Sequence, residues 1–117
     1  MYFDIIWPFS DNMISDNSIN NNSLVCKLNY KNYSMLFTGD IEAIAEKAIL
    51  KKYSKNLNIL KSDILKVAHH GSKTSSITEF IEKIKPKYAI IGVGEDNKFG
   101  HPSDNTIQNL EKANIRI

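Results

Sequence analysis

This chain is short of the residues that staple or span. It has one cysteine, Cys26, so no internal disulfide can form, and a lone thiol fits a reducing compartment. Cys26 lies in an apolar stretch and reads as a plain buried thiol. No apolar run approaches the roughly 20 residues that a membrane-spanning helix needs, and the start, Met1-Tyr2-Phe3-Asp4, has no secretory leader pattern. Neither charge sign dominates: 15 Lys and Arg against 13 Asp and Glu leave a net +2. That is too small for the basic footprint of a nucleic-acid reader. Lys47, Lys51, Lys52, Lys83 and Lys112 are scattered and read as solvated faces. There is no internal repeat.

What is present is an ordinary globular composition. The 117 residues are 42% hydrophobic and 24% charged, enough for one domain at most with a modest core. Phe3-Asp4-Ile5-Ile6-Trp7 reads as a strand stopped by Pro8. Residues 9–23 are rich in Ser, Asp and Asn and read as a loop, with the Asn tract taken as compositional bias. Leu24 to Tyr30 and Tyr33 to Thr38 follow as strands, and Lys31-Asn32 between them predicts a tight hairpin.

From Ile41 the period changes. Ile41, Ile44, Ala45, Ala48 and Ile49 recur at helical spacing, with Glu42, Glu46, Lys47 and Lys51 left for water. Ile64 to Ala68 reads as a buried strand, and Ile77 to Lys85 as a helix ended by Pro86. Tyr88 to Gly92 reads as another buried strand. A loop from Val93 to Pro102 leads to a third helix, Ser103 to Lys112, with Ser103 as its cap. The last residues, Ile115-Arg116-Ile117, read as one more strand, so the chain is expected to be a piece of something larger. Strands alternating with helices after a strand-rich first half predict an α/β (α+β) fold: a mixed sheet with three helices.

The chemistry gathers at strand ends, where ligands bind in such sheets. Val67-Ala68 runs into His69-His70-Gly71-Ser72, and Phe37-Thr38 runs into Gly39-Asp40. Asp40 has two compatible roles there, as a helix N-cap and as a site carboxylate. Carboxylate and imidazole suit Zn²⁺, Mn²⁺ or Fe²⁺. A His that is not a ligand can stabilise an oxyanion or protonate a leaving group. Gly71 allows close backbone approach. Ser72, Thr74, Ser75 and Ser76 offer hydroxyls to a phosphate. His101, in Phe99-Gly100-His101-Pro102-Ser103, either joins the site or caps the following helix region.

These segments occur in one order: Asn22-Ser23-Leu24-Val25, Leu36-Phe37-Thr38-Gly39-Asp40, Leu65-Lys66-Val67-Ala68-His69-His70-Gly71-Ser72, Lys85-Pro86-Lys87-Tyr88-Ala89-Ile90-Ile91, Val93-Gly94 and Gly100-His101-Pro102-Ser103. Together they resemble the metallo-β-lactamase-like domain of ComEC-type competence proteins and its free-standing relatives, from about Phe3 onward. The resemblance implies an αββα sandwich with two divalent metal ions, Zn or Mn, at one sheet edge. It implies Asp40 as the carboxylate bridging both metals and one of His69 and His70 as a ligand to the second. His70 is favoured as that ligand, with His69 and His101 acting on the reacting group and Ser72 and Thr74 as substrate contacts; the reverse order of the pair stays open. The family's His-x-His-x-Asp-His stretch does not occur in this chain. The expectation is therefore the C-terminal half of the domain, residues 1–117, inactive by itself.

Two functions from different classes follow. One is a fragment of a metal-dependent phosphodiester hydrolase, with DNA or another phosphodiester as its partner in the parent protein. The other is a non-catalytic half-domain that packs on a partner or on a second copy, because an incomplete sandwich exposes sheet edges and an apolar face. The family includes membrane-attached and free-standing members, so it fixes no location.

Overall fold

Alternation of side chains builds one sheet with two unlike faces. The computed structural model describes residues 1–117. β1 (Tyr2–Trp7), β2 (Val25–Tyr30), β3 (Tyr33–Phe37), β4 (Ile64–Lys66) and β5 (Tyr88–Ile90) lie side by side in chain order. β1, β2 and β3 pair antiparallel, and β3, β4 and β5 pair parallel. The expected mixed sheet is present. Tyr30 faces Tyr33 across the two-residue Lys31-Asn32 turn, with Lys31 at φ 52°, as a tight hairpin requires.

Four helices accompany the sheet: α1 (Ser18–Asn21), α2 (Ala43–Lys52), α3 (Thr78–Ile84) and α4 (Asp104–Lys112). Three of them match the expected ones. α1 is a single turn inside the stretch read as loop. It forms because Asn21 and Asn22 are structural, not compositional padding. Asn21 is buried and donates to the Asp16 carbonyl, and Asn22 exchanges hydrogen bonds with the backbone of Ile14. Pro8 ends β1, Pro86 follows α3 after Lys85 at φ 50°, and the Ser103 hydroxyl caps α4 by accepting from Thr106 N at 3.2 Å. The terminal segment is less than a strand: Arg116 makes one bridge to Tyr88.

Helices cover one face only. Leu36, Leu65 and Ala89 lie in register on that face and are buried with Ile49 of α2, Phe80 of α3 and Leu110 of α4. Two expectations for α2 fail here. Ile44 is 44% exposed, and Glu46 is fully buried. A helical wheel locates a stripe, but the loop before α3 decides which flank of it is covered.

The other face carries two rows read directly from the register. One is Ile5, Cys26, Phe37, Lys66 and Ile90; the other is Phe3, Leu28, Met35, Ile64 and Tyr88. Lys66 is the one charged member. Phe3, Ile5, Tyr88 and Ile90 are each about half exposed. Tyr88 to Gly92 is therefore not a buried strand, and Cys26 is half-buried, with burial pushing its thiol pKa up. One sheet with helices on one face is the βα half of an αββα sandwich.

Candidate metal and phosphodiester site

The parallel strands β3, β4 and β5 send their C-terminal ends to the same edge, and every candidate residue follows one of them. After β3, Thr38 is buried and its hydroxyl donates to the Lys66 carbonyl at 2.6 Å, tying two strand ends together. Gly39 has φ 53°, and a Cβ there would lie 2.6 Å from Ser23 Cβ. Asp40 N donates to the Ser23 hydroxyl at 3.2 Å. The Asp40 side chain caps nothing: α2 starts at Ala43, with Glu42 at the N-cap position. Its carboxylate is left facing the edge of the sheet.

After β4 the backbone turns left-handed at three consecutive residues: His69 at φ 49°, His70 at φ 55° and Gly71 at φ 79°. For the two histidines this costs about 1–2 kcal/mol each, and such strain persists only where surroundings over-determine it. Here His69 N donates to the Gly39 carbonyl, and Ser103 N to that of Gly71. A side chain at Gly71 would meet Pro102 Cβ at 2.7 Å. The glycine lets the His101-Pro102 segment close over the pair.

The result is a cluster of three imidazoles and two carboxylates. His70 Nε2 lies 3.5 Å from Asp40 Oδ1, and His70 Nδ1 lies 2.7 Å from the Gly92 carbonyl. A carbonyl only accepts, so Nδ1 carries the proton. In the neutral ring the Nε2 lone pair then faces Asp40. His69 Nδ1 is buried, has no hydrogen-bond partner, and lies 3.8 Å from Glu42 Oε2. The His69 and His101 rings are 5.8 Å apart. Burial, then the charges of His69 and His70, pushes the His101 pKa below its ordinary value.

Glu42, read from sequence as solvated, is the residue that was missed. Its Oε1 accepts from Asn17 Nδ2 at 2.6 Å and its N donates to Asn21 Oδ1 at 2.9 Å. A hydrogen bond from Thr74, with those from Asn17 and Asn21 and the charge of His69, lowers its pKa despite partial burial. Nothing local in the sequence signals this, because its partners come from residues 17, 21, 69 and 74. Ser23, quoted within a motif but given no role, anchors the Asp40 backbone.

Of the hydroxyls, Ser72 is buried and pairs with Thr74 Oγ1 at 2.9 Å. Ser75 donates to the Ile41 carbonyl at 2.7 Å, and Ser76 is buried. These two do not face a ligand; Thr74 is exposed. A cleft of about 170 Å³ adjoins the cluster, lined by His70, Val93, Gly94, Asn97, Phe99 and His101. A larger cleft of about 420 Å³ lies at the N-terminal ends of β3 and β4 and contains Asp63, Lys61 and Lys87 but none of the histidines. The O and N donors of Asp40 and His70 fit Zn²⁺ or Mn²⁺, but no three metal-ligating side chains converge. No helix is long and apolar enough to cross a membrane.

Asp40 and His70 thus stand at adjacent strand ends of a helix-covered βα layer. Residues 20–95 match the model of the metallo-beta-lactamase superfamily, and the chain belongs to that family. It is 39% identical over 100 residues to ComE operon protein 3 of Bacillus subtilis, covering 86% of this chain and 12% of that protein. It is 32% identical over 111 residues to competence protein ComA of Neisseria gonorrhoeae, covering 95% of this chain and 15% of that one. Recombination protein 2 of Haemophilus influenzae is 31% identical over 112 residues, 96% of this chain and 13% of that protein. The chain thus spans less than a sixth of the length of these relatives.

Proposed function

We propose that this chain forms one side of the active site of a metal-dependent phosphodiester hydrolase, of the kind that acts on nucleic acid in competence. The observation that carries the reading is the Asp40–His70 pair, at 3.5 Å, on adjacent strand ends in a chain related to competence proteins. Asp40 and His70 are the residues of this chain that would hold the metals. Two divalent ions, Zn or Mn, supply Lewis acidity and a water of lowered pKa when bound. His69, facing Glu42, and His101, 5.8 Å from it between ring centroids, would stabilise the developing anion and move the proton to the leaving oxygen. Thr74, exposed on the loop and paired through its hydroxyl with Ser72, is the residue of that loop that would meet substrate.

Residues 1–117 then act as the C-terminal half-domain, and the remaining ligands come from elsewhere. Metal titration by calorimetry tests this. Uptake of Mn²⁺ or Zn²⁺ that Asp40→Ala and His70→Ala both abolish supports the pair; uptake indifferent to both refutes it.

A second reading is favoured by the half-exposed sheet face: a non-catalytic half-domain that packs on a partner or on a second copy. Metal-independent, stable association with no metal uptake would support it over the first.

A further inference from the structure

We propose that Phe99 is a stacking platform for an unpaired nucleobase, which makes the substrate of the site a single-stranded nucleic acid. This rests on the phosphodiester reading above and adds the substrate class. Phe99 is 80% exposed, yet it is not a loose loop side chain. Its ring is stacked on His101, with centroids 5.6 Å apart and planes 25° from parallel. Phe99 also lines the cleft shared with His70 and His101. A planar ligand there continues the stack and leaves its phosphate beside the imidazoles.

The loop is built to hold that ring. Asn97 Oδ1 accepts from Phe99 N at 3.1 Å and from His101 N at 3.0 Å, and Asn97 Nδ2 donates to the His101 and Gly94 carbonyls. One side chain thus fixes Phe99 and His101 relative to each other. Phe99 lies in a loop and belongs to neither row of the uncovered sheet face. The same loop carries exposed Glu95 and Asp96 beside Lys98, with no cationic excess. It therefore does not track a phosphate backbone, and what it offers is an uncharged π-face. Every base has a π-face, but a paired base hides it, so such platforms select single strands with little sequence preference.

The test uses the whole chain and a fluorescently labelled short oligothymidylate, with an abasic oligomer of equal length as its control. Phe99→Ala should weaken oligothymidylate binding roughly tenfold and leave abasic binding unchanged. Phe99→Trp should restore binding, with quenching of its own fluorescence. The proposal is overturned if the wild-type chain binds both oligomers equally, if Phe99→Ala weakens both alike, or if neither binds. Failure of the hydrolase reading is distinguishable: metal uptake through Asp40 and His70 would be missing while the Phe99-dependent preference persisted.

Discussion

His70 is oriented from both sides of its ring. The Gly92 carbonyl lies 2.7 Å from Nδ1, and Asp40 Oδ1 lies 3.5 Å from Nε2. The first contact comes from the end of β5 and the second from the end of β3, so three parallel strands fix one imidazole. A loop carrying His70 in an unstrained conformation would point the ring elsewhere.

Metal uptake should therefore depend on both residues unequally from their neighbours. Asp40→Ala and His70→Ala should each lower Mn²⁺ or Zn²⁺ affinity by more than the roughly 10–100-fold that loss of an outer hydrogen-bond partner costs. Glu42→Ala, which frees His69, should fall within that range or below it. Calorimetric titration of the variants separates these outcomes.

The chain alone should show no metal-dependent hydrolysis of a chromogenic phosphodiester, since no three-ligand cluster forms and catalytic zinc takes at least three protein ligands. In a complete domain the activity should appear and be lost with Asp40→Ala. A metal-dependent rate from the isolated chain, removed by that substitution, would overturn the half-site reading.

Self-association is expected from the sheet face bearing Phe3, Ile5, Tyr88 and Ile90. Burying such surface yields roughly 25 cal/mol per Å², and a net charge of +2 opposes it little. Light scattering after size exclusion should show dimers or larger species, and Ile5→Lys with Ile90→Lys should shift them to monomer. A monodisperse wild-type monomer would count against it.

Glu46 should give stability a pH slope. Burial raises its pKa from 4.5 to about 7, against the two backbone N–H groups of Ser76 and Ile77 that favour the ionised form. The folded chain thus holds this proton more tightly than the unfolded one. Stability is highest below the unfolded value and falls as pH rises toward 7, by about 3 kcal/mol in all. Asp63 and Glu42, with lowered pKa values, stay ionised in the folded chain from pH 5 upward and add only a small opposite slope near pH 5. Urea unfolding between pH 5 and 8 should show the decline. Glu46→Gln should flatten it while leaving one of the two amides unpaired, at about 1–3 kcal/mol.

Local pattern determined much of this protein. Short apolar stretches bounded by turn and break residues set the five strands, Lys31-Asn32 set the hairpin, Pro8 and Pro86 set two stops, and Ser103 set a cap, because each depends on residues a few positions apart. The order of motifs also placed Asp40 and His70 after strands that become parallel neighbours. Tertiary structure alone decided the rest. Glu46 is buried because amides some 30 residues along the chain arrive above it. Glu42 faces His69 because Asn17 and Asn21 return to hold it. His69 and His70 turn left-handed because the Gly39 carbonyl and the Pro102 segment constrain them. Periodicity encodes which face a side chain occupies, but a polar group's partner is a long-range pairing, and only the folded chain brings it within reach.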